Sequence, residues 1–112
     1  MKKWKIEYYT TNADNVPVRD FIDRMPAKAR AKAFYAIELD EEYGPHVGEP
    51  HVKYLDKGLW EIRFSAQEGV YRILFTETGG RIIILMHAFN KKSQGTPNKE
   101  LRTARDRLRE IS

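Results

Sequence analysis

Three apolar runs in the second half of the chain each carry a basic residue or end on one. Leu59-Trp60-Glu61-Ile62-Arg63-Phe64 comes first and Tyr71-Arg72-Ile73-Leu74-Phe75 second. Ile82-Ile83-Ile84-Leu85-Met86-His87-Ala88-Phe89 is third and runs straight into Asn90-Lys91-Lys92. Gln67-Glu68-Gly69 and Thr78-Gly79-Gly80 separate the runs and read as hairpin turns, so the pattern predicts an antiparallel meander. Side chains alternate along a strand, which puts Glu61, Arg63 and Ser65 on one face and Trp60, Ile62 and Phe64 on the other. Arg72 falls opposite Tyr71, Ile73 and Phe75, so Arg63 and Arg72 can be neighbours on one sheet face. A charge is costly to bury without a partner, and two like charges repel unless an anion lies between them. Two readings meet this pattern. Either the face is exposed and binds an anion, with Lys91 and Lys92 completing the cluster, or Glu61 neutralises Arg63 or Arg72 as a cross-strand pair.

The first half supplies what would cover such a sheet. Trp4 to Tyr9 alternates as a half-buried strand. Pro17 suits a first helical turn, and Val18, Phe21, Ile22 and Met25 follow at helical spacing. Pro26 interrupts that helix and opens a second, lined by Ala29, Ala33, Phe34, Ala36 and Ile37 and reaching about Tyr43. Glu38, Asp40, Glu41 and Glu42 read as a solvated acidic end that opposes the helix dipole. Gly44-Pro45 stops the helix. A loop dense in Pro and Gly leads to a short strand, Val52 to Leu55, turned by Asp56-Lys57-Gly58. Thr96 as N-cap and Pro97 in the first turn open a last helix, with an apolar stripe of Leu101, Ala104, Leu108 and Ile111. The expected fold is α+β. An N-terminal strand and a two-helix hairpin pack on a mainly antiparallel sheet, followed by a C-terminal helix. The two helices cover one sheet face and leave the other partly open. The 112 residues suit one domain, 1–112, with a single modest core.

Charge narrows the function. The net charge is +4, but residues 1–56 contribute −1 (nine Lys/Arg, ten Asp/Glu) and residues 57–112 contribute +5 (eleven against six). That asymmetry suits nucleic acid or another polyanion, or else a solvated basic face. The chain has no cysteine, which fits a reducing cytoplasm. Its longest apolar run, Ile82 to Met86, is far too short to span a bilayer. A cytoplasmic protein without membrane contact is expected. His87 reads as a packed, hydrogen-bonded strand residue, and His46 and His51 in the loop lack a metal-ligand pattern. No nucleophile triad, P-loop or dinucleotide fingerprint occurs. Trp60, Tyr71, Phe75 and Phe89 read as core, while Tyr43 and Tyr54 stay open as base-stacking residues.

Gly58-Leu59-Trp60-Glu61-Ile62-Arg63, Val70-Tyr71-Arg72-Ile73-Leu74-Phe75 and Leu85-Met86-His87-Ala88-Phe89-Asn90-Lys91-Lys92-Ser93-Gln94 together resemble the RelE/ParE toxin superfamily, in its phage-derived HigB-like branch. Pro17-Val18-Arg19-Asp20-Phe21, Pro50-His51-Val52-Lys53-Tyr54-Leu55 and Thr96-Pro97 also fit, so the resemblance spans nearly the whole chain. It implies a toxin of a type II toxin–antitoxin system that cleaves mRNA in the ribosomal A site without metal or cofactor. It further implies a cognate antitoxin with a helix-turn-helix domain, and a toxin–antitoxin hetero-oligomer. By the same resemblance Arg72 holds the scissile phosphate and Lys92 stabilises developing charge. Arg63 contacts the phosphate or helps activate the ribose 2′-OH. Lys53, Lys57 and Lys91 are the expected RNA-binding residues. The chain departs from the RelE pattern at Glu61, where that pattern has a lysine, and it has no match to the RelE C-terminal tyrosine. The general acid and base stay unassigned among His87, Lys53 and Lys57. ParE-like relatives share the fold but inhibit DNA gyrase, and a non-catalytic nucleic-acid-binding module is the third alternative.

Overall fold

A computed structural model describes residues 3–91 and 96–111. Its elements run β1 (Lys5–Tyr8), α1 (Pro17–Asp23), α2 (Ala27–Tyr43), β2 (Val52–Asp56), β3 (Leu59–Ala66), β4 (Gly69–Thr78), β5 (Ile82–Lys91) and α3 (Asn98–Ile111). A short 3-10 turn, Gly44–Val47, follows α2. The strands form one sheet in the order β1-β5-β4-β3-β2. The hairpins from β2 to β5 make the expected antiparallel meander, and β1 adds at its far edge, parallel to β5. This is the α+β architecture read from the sequence. Among the described residues no helix is long and apolar enough to cross a membrane.

Helices cover the sheet on both sides, which gives two core clusters. Val18 and Ile22 of α1 and Ala29, Ala33 and Ile37 of α2 pack on Ile62, Tyr71, Ile73, Phe75, Ile83 and Leu85. On the other side Ala104 of α3 is buried with Leu59, Leu74, Met86 and Phe89, and Leu101 and Leu108 pack against that cluster from half-buried positions. The stripe expected on α3 is therefore used, except that Ile111 stays exposed. The second sheet face is open only beyond the start of α3. Burying an apolar side chain of this size is worth roughly 1.5–3 kcal/mol, so α3 docks by burial despite its many arginines.

Local chemistry sets the helix ends. Gly44 ends α2 at φ +62, and a Cβ there would lie 2.3 Å from the Trp4 ring, so only glycine fits. Thr96 does not serve as the N-cap that its position suggested, because its hydroxyl is committed to Glu61. Pro97 instead provides the carbonyl that accepts from the Glu100 and Leu101 amides.

The acidic end of α2 also differs from the solvated end expected. Asp40 is fully buried, and neither carboxylate oxygen has a hydrogen-bond partner among the described residues. It follows Ala29, Ala33 and Ile37 on the stripe that faces the sheet. Burial, with a smaller contribution from Glu77, raises its pKa to about 7. Phe34, expected on that stripe, is exposed instead.

Candidate functional site

Strand register brings the basic residues together. Arg63 of β3 pairs directly with Arg72 of β4, and Arg72 in turn faces Phe89 of β5. Glu61 stands beside Leu74 on one side and Lys53 of β2 on the other. With side chains alternating, Lys53, Glu61, Arg63 and Arg72 share the sheet face on which α3 packs.

Glu61 is the centre of this group. Its Oε1 accepts from Arg72 Nη1 at 2.8 Å, and its Oε2 accepts from the Thr96 hydroxyl at 2.7 Å. The Glu61 and Arg72 side chains are 1% and 7% exposed. The cross-strand pairing weighed from the sequence therefore holds for Arg72. Arg63 is half-buried and has no ion pair among the described residues. Arg72 Nε is buried and makes no hydrogen bond among the described residues.

These residues line an open cavity of about 470 Å³ whose walls include Lys53, Glu61, Arg63, Arg72, Thr96 and Leu101. Asp56 also borders it, but its carboxylate takes a two-pronged contact from Arg105 Nη2 at 2.6 and 2.7 Å. The lining carries three cations, Lys53, Arg63 and Arg72, against the carboxylates of Glu61 and Asp56, and remains net positive. Guanidinium and ammonium groups so placed form charge-assisted hydrogen bonds to phosphate oxygens.

Contacts away from the cavity hold α3, whose Leu101 lines it, against the sheet. Arg107 Nη1 donates to the Met86 carbonyl at 2.8 Å and lies 3.2 Å from His87 Nδ1. His87 Nε2 lies 2.7 Å from Glu100 Oε1. An arginine can only donate, so Nδ1 must accept and Nε2 must carry the proton that goes to Glu100. Burial, outweighing Glu100 and reinforced by the charges of Arg107 and Lys99, lowers the His87 pKa. The β4–β5 ladder slips here, with Leu74 opposite His87 and Phe75 opposite Leu85. The extra residue lets Met86 and His87 both face α3. Tyr9 completes the anchorage by donating its hydroxyl to Glu110.

The structure thus unites Lys53, Arg63 and Arg72 and adds Glu61 and Thr96, neither of which was expected to have a catalytic role. Lys91 is buried at the end of β5 opposite Val70, on the same face as Phe89 but outside the cavity lining. Lys57 sits exposed in the β2–β3 turn and does not line the cavity. His87 lies beneath α3, where it is packed and hydrogen-bonded as the sequence suggested. Lys92 falls outside the described residues. The Glu61–Arg72 pair had a visible signal in the strand alternation. The Thr96 contact, 35 residues away in sequence, had none.

Comparison with curated proteins gives no match to the chain. The model of a protein family described as "Phage derived protein Gp49-like (DUF891)" matches residues 20–109, which include α2, the whole meander and most of α3. The chain belongs to this phage-derived Gp49-like family, a family of RelE-like toxins associated with toxin–antitoxin systems.

Proposed function

We propose that this protein is a HigB-like toxin whose whole chain acts as one domain, a ribosome-dependent endoribonuclease of mRNA. The observation that carries this reading is the direct pairing of Arg63 with Arg72 over one cavity, with Lys53 on its wall. Attack of a ribose 2′-OH on the adjacent phosphorus forms a P–O2′ bond and gives a dianionic five-coordinate phosphorus. The P–O5′ bond then breaks, leaving a 2′,3′-cyclic phosphate and a 5′-hydroxyl. Arg72 and Arg63 stabilise the charge on the non-bridging oxygens, with Lys92 as the further cation that the family resemblance implies.

Guanidinium does not give up its proton readily, so the arginines bind and stabilise rather than act as bases. Of the three proton-transfer candidates, Lys53 alone borders the cavity. Lys57, exposed in the β2–β3 turn, and Lys91, at the end of β5, are the further RNA-binding candidates, outside the cavity lining. Ideal positioning of reacting groups can lower a barrier by about 7–11 kcal/mol. The ribosome supplies that geometry by bending the A-site mRNA, which is how a cavity with few acid–base groups suffices.

Family membership implies a cognate antitoxin. We place a helix-turn-helix antitoxin over the basic cavity in a toxin–antitoxin hetero-oligomer located in the cytoplasm. The purified protein added to a translating extract should shorten mRNA, leave naked RNA intact and leave gyrase supercoiling unaffected. Inhibited supercoiling without RNA cleavage would instead support the ParE-like activity. Salt-sensitive RNA binding without product would support a binding module.

A further inference from the structure

A second cavity lies on the opposite side of Arg63. β2 ends its pairing at Val52, opposite Ile62, and the Arg63 amide reaches only the His51 carbonyl beyond it, at 2.8 Å. From Arg63 onward the outer edge of β3 has no strand beside it among the described residues. Between this edge and α2 runs a groove of about 260 Å³, with apolar walls from Tyr35, Leu39, Val47 and Phe64. Lys32 closes one end by donating to the Ser65 carbonyl at 2.9 Å. Arg63 borders both this groove and the basic cavity.

We propose that the groove is a base-binding subsite for single-stranded RNA, taking the nucleobase next to the phosphate held at Arg63 and Arg72. This inference rests on the ribonuclease reading above. Single-stranded nucleic acid alternates anionic phosphates with flat apolar bases, and proteins bind it by pairing cationic tracks with apolar or aromatic walls. Here one residue joins the two surfaces. The planar Arg63 group can stack against a base on the groove side while its N–H groups reach the phosphate on the other. The groove is smaller than the roughly 300–1,000 Å³ of drug-sized pockets, which suits one ring system better than the side-chain ridge of a helix. The basic residues at its margin, Lys32 and Arg63, suit an anionic ligand with an apolar body. Tyr35, 65% exposed on α2, is placed to close over the base from solvent.

The test is amide shift mapping on the full chain with three probes: adenosine, a 2′-O-methyl oligoadenylate trimer that cannot be cleaved, and an abasic trimer of the same backbone. Adenosine should shift the amides of Tyr35, Leu39, Val47 and Phe64. The adenylate trimer should shift both these residues and Lys53, Arg63 and Arg72, and the abasic trimer only the latter group. Tyr35→Ala and Leu39→Asp should weaken the adenylate trimer about fivefold or more and leave abasic binding unchanged. Tyr35→Ala changes an exposed side chain, so it remains informative if Leu39→Asp does not fold. Groove amides that ignore adenosine and the adenylate trimer would overturn the proposal, as would a groove that responds only to antitoxin. Failure of the abasic trimer to shift the basic cavity would count against the ribonuclease reading separately.

Discussion

Glu61 and Arg72 form an ion pair 2.8 Å apart in which neither side chain is more than 7% exposed. Buried pairs of this kind contribute little net stability, because desolvation offsets the attraction. Their value here is positional. Arg63 and Arg72 sit directly opposite each other, and the Glu61 carboxylate supplies the negative charge that lets two guanidinium groups share that place. The Thr96 hydroxyl, bound to the other carboxylate oxygen, ties the entry to α3 to the same centre.

Removing the carboxylate should therefore cost more than its net worth. Glu61→Ala leaves Arg72 buried and uncompensated, and about 3–5 kcal/mol of stability should be lost in urea denaturation. Glu61→Gln keeps a carbonyl acceptor for Arg72 and turns an amide N–H towards the Thr96 hydroxyl, so its loss should be smaller. A loss below about 1 kcal/mol from Glu61→Ala would count against the carboxylate as the organising group.

The same burial bears on how Arg72 is tested. Arg72→Ala strands the Glu61 carboxylate, so lost cleavage in that variant mixes lost fold with lost chemistry. The double change Glu61→Leu with Arg72→Met removes both charges and should unfold within about 2 kcal/mol of wild type. It should also be inactive in cleavage assays. Full cleavage by this folded double variant would remove Arg72 from the mechanism.

Asp40 makes stability fall as pH rises. Its folded pKa of about 7 exceeds the ordinary value of 3.8, so the folded state holds the proton more tightly than the unfolded one. The stability linked to that proton is fully present below about pH 4 and is lost as pH rises to about 7. The gap is 7 − 3.8, roughly three units at about 1.4 kcal/mol each, so the penalty is on the order of 4 kcal/mol. Asp40→Asn should raise Tm at pH 8 and much less at pH 5. A pH-independent effect on Tm would contradict the buried-carboxylate account.

His87 acts in the opposite sense. Its folded pKa lies below the ordinary 6.5, so stability from this residue is present above that value and lost as pH falls below it. Protonating Nδ1 would aim an N–H at the Arg107 donor and weaken the seam between β5 and α3. Protection of α3 amides, taken relative to the intrinsic exchange rate at each pH, should fall as pH drops below 6.5, and His87→Gln should flatten that dependence. Protection that stays constant as pH falls would dismiss His87 as the cause.

Period-2 alternation was enough to place Arg63, Arg72 and Glu61 on one face, whereas that face was expected to stay partly open and α3 packs on it. Asp40 was legible too, since it falls at helical spacing after Ala29, Ala33 and Ile37. Its charge suggested solvent, but the packing of α2 overrode that preference. Two features had no local signal. The slip at Met86 and His87 follows from how α3 sits on β5, with no glycine to mark it. Thr96 looked like a helix cap because its hydroxyl's partner lies on a distant strand. Lys91 and Lys57 carried the right charge, but strand register and turn geometry, rather than composition, decide which cations line a cavity.

Mapping new mRNA 5′ ends by primer extension in a translating extract, with wild type and Arg63→Ala side by side, tests the central claim most directly. Arg63 is half-buried and without an ion pair among the described residues, so its replacement should preserve the fold. The account predicts cuts at codon positions with wild type, none on naked RNA, and at least a tenfold loss of cutting with a folded Arg63→Ala protein. Undiminished cutting by Arg63→Ala, or no cutting by a folded wild-type protein, would contradict it.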